Sequence, residues 1–393
     1  MKITQIQTAL TELKLEAWLL YDFRGINPIA QNVAGLTDAH ITRRWFCLIP
    51  ANGEPKWLCH AIETSNFVDV PGSIAHYTGW QELNEQIAIL LAGVRNVAME
   101  YSPHAAIPYI SRVDAGTLEW IRSFGVEVHT SAELAQHVEA RLTEEQAEGH
   151  QTAARLVLTA KDEAFAWITE QLRAAKAITE YDVQQFILRR FGEMDLTADH
   201  PPIVAVNAKS SEPHYAPTAT QTQPIKKGDF ILIDLWAKQK APDAVFADTT
   251  WVAYAGATVP ERIVEIFEIV KEARDKAVAF IREKWAAEEP IYGYAVDDCT
   301  RAHITEKGYG DFFIHRTGHN IGTAIHGNGV NLDNLETRDE RTLIPGICFS
   351  VEPGIYLTEF GVRTEIDVFL AGPGKDGVRV TTAPVQNQVL PLL

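Results

Sequence analysis

The chain has little cysteine, no long apolar run and no surplus of basic charge, and each shortage removes a class of function. Four cysteines in 393 residues (Cys47, Cys59, Cys299 and Cys348), none in a C-x-x-C pair, exclude a zinc ribbon or a dithiol redox motif and fit a reducing cytoplasm. The longest apolar run, around Ile87 to Val94, falls far short of the roughly 20 residues a membrane-spanning helix needs. The opening MKITQIQTALTELKLEAW has amphipathic spacing but no sustained apolar segment, so secretion is not expected either. With 52 acidic against 35 basic residues, the formal charge is −17, which argues against nucleic acid or an anionic membrane as partner, since both reward basic patches. No repeat at solenoid periods is found.

What is present is a globular composition, 46% hydrophobic and 22% charged, in a chain long enough for two domains. Residues 1–142 alternate helical and extended patterns. A helix is expected over 3–14, with strands in AWLLYD, WFCLIP, KWLCHA, NVAMEY and VEVHTS, giving an α/β domain whose scattered histidines show no ligand spacing. At 143 the pattern changes. Thr143 and Gln146 have capping-box spacing and open a long helix through Lys176, and a second helix starts at Thr179-Glu180. PIVAV, DFILIDLW and AVFADTTWVAY read as strands, the last two as a hairpin through KQKAPDA; Pro260 and Glu261 then begin another helix. Helices alternating with antiparallel strands give an α+β second domain over 143–393.

Within that second domain, acids interrupt apolar strands. Asp234 stands in FILIDLW and Asp248 in VFADTTW; Glu352 follows CFSV, and Glu365 follows Arg363 in GVRTEIDVFL. His315, His319 and His326 share the segment IHRTGHNIGTAIHGNG. One buried acid on a strand is commonly an acceptor for a nearby turn. Four carboxylates cannot converge in a low-dielectric site without cations, because they repel one another. With one imidazole they make a mostly hard ligand set suited to two divalent ions, and manganese, cobalt, iron and zinc all fit it.

The order Asp234, Asp248, His319, Glu352, Glu365 resembles the five-ligand signature of the M24 metallopeptidase family, whose pita-bread fold is shared by methionine aminopeptidase, aminopeptidase P and prolidase. HRTGHNIGTAIHGNG is similar to the family's His-x-x-Gly-His segment with its following histidine, VEPGIY to its Glu-Pro-Gly-Ile-Tyr, and GVRTEID to its Gly-x-Arg-x-Glu strand. PHYAPT, with His214, resembles a segment of the proline-directed branch. This likeness covers residues 143 to 390. The first domain resembles, in outline at YDFRGINPIAQNVAG, the creatinase-type domain that methionine aminopeptidases lack, which brings prolidase and aminopeptidase P nearer.

The resemblance implies a pita-bread catalytic domain preceded by a smaller creatinase-type α/β domain. Asp234 would hold one metal, Asp248 and Glu365 would bridge both, and His319 and Glu352 would hold the second, with manganese the first expectation and cobalt, zinc or iron the alternatives. A hydroxide shared by the metals would attack the peptide bond before proline in Xaa-Pro dipeptides or N-terminal Xaa-Pro peptides, with Glu352 as general base. His326, His315 and His214 would donate to the substrate or its oxyanion. Arg363 would meet a substrate carboxylate or partner a nearby acid, and Tyr215 is a candidate for the proline pocket. A homodimer whose first domain limits substrate length is also implied. The alternatives are a creatinase-like hydrolase of a non-peptide C–N bond and a non-catalytic pita-bread module that binds peptides.

One departure bears on the ligands. The family commonly spaces its two Asp residues eleven apart, whereas Asp234 and Asp248 stand fourteen apart, and Trp251 occupies a position where Arg usually follows. Asp243 therefore competes for the bridge. It follows Pro242 in a polar connection where an acid is typically solvated. Asp248 is favoured, because it lies in an apolar strand and an addition at the hairpin tip keeps both strands in register. The missing Arg is expected to weaken support of the metal site.

Overall fold

Apolar runs without alternation become strands covered on both faces, and the six fully buried residues Ala17–Asp22 are such a strand. The computed structural model describes residues 2–374 and 376–393, and the chain divides into the compact units Met1–Glu139 and Ala140–Leu393. In the first unit Ala17–Asp22 lies inside a six-stranded mixed sheet. Its spatial order is Ser73–Tyr77, Lys56–His60, Trp45–Pro50, Ala17–Asp22, Asn96–Met99, Glu127–Thr130. Trp18, Leu20, Trp45 and Trp57 face one core with residues of the helices Ile3–Glu12 and Pro28–Ala34. Leu19, Tyr21, Phe46 and Leu58 face the other, with residues of Trp80–Leu90 and Ala115–Ser123. The edge strand Ser73–Tyr77 escaped the sequence reading because only Tyr77 of its five residues is buried.

In the second unit local signals act as their chemistry dictates. Thr143 and Gln146 cap each other reciprocally and open the helix Glu144–Arg173; Thr179 and Asp182 do the same for Glu180–Glu193. The strands Phe230–Gln239 and Ala247–Tyr254 pair antiparallel, with Asp234 opposite Thr250 and Trp236 opposite Asp248. Strand periodicity then separates two faces. Ile231, Ile233, Leu235, Trp251 and Ala253 pack with Val157, Ile168 and Ile187 of the two helices, leaving Asp234, Trp236, Asp248 and Thr250 on the opposite face.

That face meets a second sheet, ordered Asn320–Ile321, Cys348–Val351, Ile366–Leu370, Val378–Val380. GVRTEIDVFL is not one strand as expected. Gly361–Arg363 pairs with Gly354–Tyr356, whereas Ile366–Leu370 pairs with Cys348–Val351, so the chain changes partners at Thr364-Glu365. Glu365 sits at this switch. The seam between the sheets is closed by hydrogen bonds: Asp248 N–H donates to Asp367 Oδ2 (2.8 Å), Glu365 N–H to the Thr250 carbonyl (3.2 Å), and Thr249 Oγ1 to the Glu365 carbonyl (3.0 Å). The helices Glu261–Ala286 and Gly293–Glu306 contribute buried residues to the cores on this side.

Candidate metal centre

Asp248, His319 and Glu365, all buried, each offer a ligand atom within 4.8 Å of the others. His319 Nε2 lies 3.3 Å from Glu352 Oε1 and 3.7 Å from Asp248 Oδ2. Asp234 shares their strand face, but its Oδ2 accepts a hydrogen bond from Arg363 Nη2 at 2.5 Å. All five expected ligands line one cavity of about 1150 Å³, as do His214, Tyr215, His315, His326 and Arg363. Asp243, by contrast, is exposed in the hairpin connection and does not line it.

Asp234, His319, Glu352 and Glu365 are held by neighbours of suitable chemistry. Gly318 lets the segment before His319 run close against the neighbouring strand Cys348–Val351, since a Cβ there would collide with the Ser350 carbonyl oxygen. His319 N–H donates to Ser350 Oγ (3.0 Å), and the same hydroxyl donates to Glu352 Oε1 (3.0 Å). His319 Nδ1 lies 3.3 Å from the Asn320 carbonyl, which favours its proton on Nδ1 and leaves the Nε2 lone pair facing the acids. Thr250 Oγ1 donates to Glu365 Oε2 (2.7 Å) and accepts from Arg363 Nε (3.2 Å).

The electrostatics are those of ligands lacking a counter-charge. Burial pushes the Asp248 and Glu365 carboxyls well above the usual range, and neighbouring carboxylates add to it. Burial lifts Glu352 to about 7 against the opposing pull of Arg363. Burial and the positive charge of Arg316 hold His319 well below its ordinary value, and hence neutral. Among the described residues Asp248 Oδ1 is buried without a hydrogen-bond partner. A neutral imidazole, crowded acids and an orphaned carboxylate oxygen fit a divalent cation, because binding one releases the protons the acids would otherwise keep.

Two of the expected substrate-facing residues are engaged within the protein. His315 has both ring nitrogens engaged within the protein, Nδ1 with the Arg316 carbonyl (2.7 Å) and Nε2 with the Tyr356 hydroxyl (2.7 Å). Burial and Arg363 push it down to about 3. It therefore holds Tyr356, and has no N–H left for a substrate. Arg363, 3% exposed, divides its donors among Asp234, Tyr356 Oη (2.9 Å) and Thr250, the acid-partner arrangement of the two expected for it. Trp251 points away from the cavity into the helix-packed core, where Lys161 Nζ stands 3.5 Å from its ring centroid. Support for the acids comes instead from Thr250, Ser350 and Asp367, which sequence reasoning did not single out, and from Tyr356, which the sequence offers only as a pocket candidate within VEPGIY. Thr250, two residues after Asp248 on the same strand face, was the one with a readable signal.

His326 and His214 remain open toward the cavity. The His326 ring packs edge-on against His319, centroids 4.4 Å apart, and burial together with Arg316 pushes it down to about 4. Tyr215 Oη donates to Glu180 Oε2 (2.6 Å), leaving its ring edge to line the cavity.

Two sheets meeting around a cluster of acids and one neutral histidine define a pita-bread metalloprotein. The chain belongs to metallopeptidase family M24, whose profile matches residues 148–371. It is 34% identical over 165 residues to an Xaa-Pro dipeptidase of Lactobacillus helveticus, covering 42% of this chain and 40% of that one. It is 33% identical over 173 residues to an Xaa-Pro dipeptidase of Pyrococcus furiosus, covering 44% and 45%. The matched segments thus span less than half of these curated relatives. The fold is shared with a dipeptidase from Pyrococcus horikoshii OT3, at TM-score 0.65 and 23% identity over all of both chains. It is shared also with a dipeptidase from Mycobacterium ulcerans, at TM-score 0.69 and 17% identity over 99% and 96%. Among the described residues no helix is long and apolar enough to cross a membrane.

Proposed function

We propose that the protein is a dinuclear-metal peptidase that hydrolyses the peptide bond before proline, in Xaa-Pro dipeptides or N-terminal Xaa-Pro peptides. The observation that carries this is the convergence of Asp248, His319 and Glu365 within 4.8 Å, with Glu352 beside His319, in a cavity large enough for a short peptide. Asp234 would hold one ion, Asp248 and Glu365 both, and His319 with Glu352 the other; manganese is the first expectation, then cobalt, zinc or iron. Bound there, divalent ions supply Lewis acidity toward a carbonyl oxygen and make water acidic enough to act near neutral pH. Asp234 would exchange part of its ion pair with Arg363 for the cation.

The remaining steps belong to the chain. Glu352, fixed by Ser350, takes the proton of the attacking water and returns it to the proline nitrogen as the C–N bond breaks. His326, neutral and open to the cavity, donates an N–H to the developing oxyanion, and His214 binds the same side of the substrate. His315, Tyr356 and Arg363 form a hydrogen-bonded chain that holds Asp234 in place. A bond before proline has no N–H, so selectivity for it rests on apolar contact rather than on backbone recognition. Four cysteines without a disulfide support a reducing cytoplasm, and a homodimer rests on the family resemblance alone.

The test is metal analysis of the purified protein together with hydrolysis of an Xaa-Pro panel before and after chelation. Loss of turnover with the metal, and its return on adding manganese, is expected. Undiminished hydrolysis by metal-free protein would overturn the proposal and favour creatinase-like chemistry.

A further inference from the structure

Trp236 is a large side chain on the ligand-bearing strand face that has no part in holding the ligands. It stands two residues after Asp234 on the same strand face and directly opposite Asp248 in the hairpin register. The ring is half-buried and lines the cavity. Its indole Nε1–H donates to Asp199 Oδ1 at 2.7 Å, so one edge of the ring is pinned. Trp236 also packs against a small apolar cluster containing Ile325 and Phe246. Ile325, 7% exposed, lines the same cavity one residue before His326. Beside Asp248 this part of the wall is therefore apolar, with the indole edge held by Asp199.

We infer that the face of Trp236, backed by Ile325, receives the pyrrolidine ring of the substrate and sets selectivity for proline. The inference rests on the Xaa-Pro proposal above. The proline nitrogen is bonded to the reacting carbonyl carbon, so the ring that contains it must lie next to the metal ligands. Trp236 adjoins two of them through the strand register. A tertiary amide gives the protein no N–H to recognise; what distinguishes proline is a compact ring of methylenes, for which a flat aromatic face is a suitable partner. Because the indole edge is already hydrogen-bonded, the surface is formed before substrate arrives, which lowers the ordering cost of binding. Tyr215 also lines the cavity, but from a loop outside the two ligand-bearing strands.

The experiment compares Ala-Pro with Ala-N-methylalanine, which keeps the tertiary amide and loses the ring, in wild type, Trp236→Ala and Trp236→Phe. Trp236→Ala should raise KM for Ala-Pro about tenfold or more, the scale set by methylene-sized contacts. It should leave kcat within a few-fold and Ala-N-methylalanine nearly unchanged, and Trp236→Phe should recover most of the loss. Metal content and melting temperature of each variant establish that it is folded and loaded; if the Ala variant is not, Phe and Leu variants carry the same comparison. Equal losses on both substrates, or a loss that follows the Xaa side chain instead of the ring, overturn the inference. Wild-type protein inert toward both substrates overturns the Xaa-Pro proposal itself, and the inference falls with it.

Discussion

Asp248→Asn, with Asp243→Asn as its control, separates a metal ligand from a solvated turn residue. Asp248 is 4% exposed, with one carboxylate oxygen unpartnered and its amide tied to Asp367. Asp243 is exposed and its carboxylate makes no ion pair among the described residues. An ion present at about 100 times its Kd stabilises the fold by about 2.7 kcal/mol. For a unit the size of Ala140–Leu393, each kcal/mol moves the midpoint by about 2–4 °C, so metal should raise Tm by roughly 5–11 °C. Wild type and Asp243→Asn should show that rise after chelation and readdition of manganese; Asp248→Asn should not, and should be inactive. Without metal, Asp248→Asn should melt no lower than wild type, because it removes a buried acid whose charged form is opposed by burial and by Asp234, Asp367 and Glu352. Differential scanning calorimetry with parallel metal analysis reads all of this. A metal-induced rise kept by Asp248→Asn and lost by Asp243→Asn would refute the ligand assignment and the hairpin alignment together.

Three further outcomes are expected. His326→Ala should lower kcat by about 10²-fold, the cost of one oxyanion donor, while keeping its metal; loss of the metal would show that His326 is a ligand. Gly318→Ala should cost about 1–3 kcal/mol by overpacking and weaken metal binding, because the Ser350 carbonyl must move and His319 moves with it; wild-type Tm and metal affinity would refute that role. In the first unit, Glu100 is fully buried, hydrogen-bonded by Trp18 and Asn27, and pushed by burial from the usual 4.5 up to about 7. The folded state then keeps a proton that the unfolded chain releases, so stability falls as pH rises from about 4.5 to 7, by about 3 kcal/mol in all, and levels off above that. Glu100→Gln should flatten this slope in urea titrations across the window, and an unchanged slope would rule Glu100 out as its source.

Features governed by neighbours along the chain were legible without coordinates. Thr143 with Gln146 and Thr179 with Asp182 start helices because capping needs only three residues of spacing. Period-two alternation put Asp234 and Asp248 on one face of a hairpin, and the cost of burying them uncompensated already pointed to a cation. Only the tertiary structure decided where chain-distant groups meet. Gly361–Arg363 and Ile366–Leu370 look like one strand but pair with different partners, and that switch delivers Glu365 to Asp248. His315 carries the same side chain as His326, yet its nitrogens are consumed by Tyr356 and a carbonyl, which no local pattern records. Trp236 reads as one more core aromatic in an apolar strand; packing leaves its face open beside the ligands and pins its edge to Asp199. Local propensity and periodicity are properties of a few consecutive residues, whereas donor satisfaction and cavity exposure depend on which distant segment arrives, and that is settled only when the two sheets close on each other.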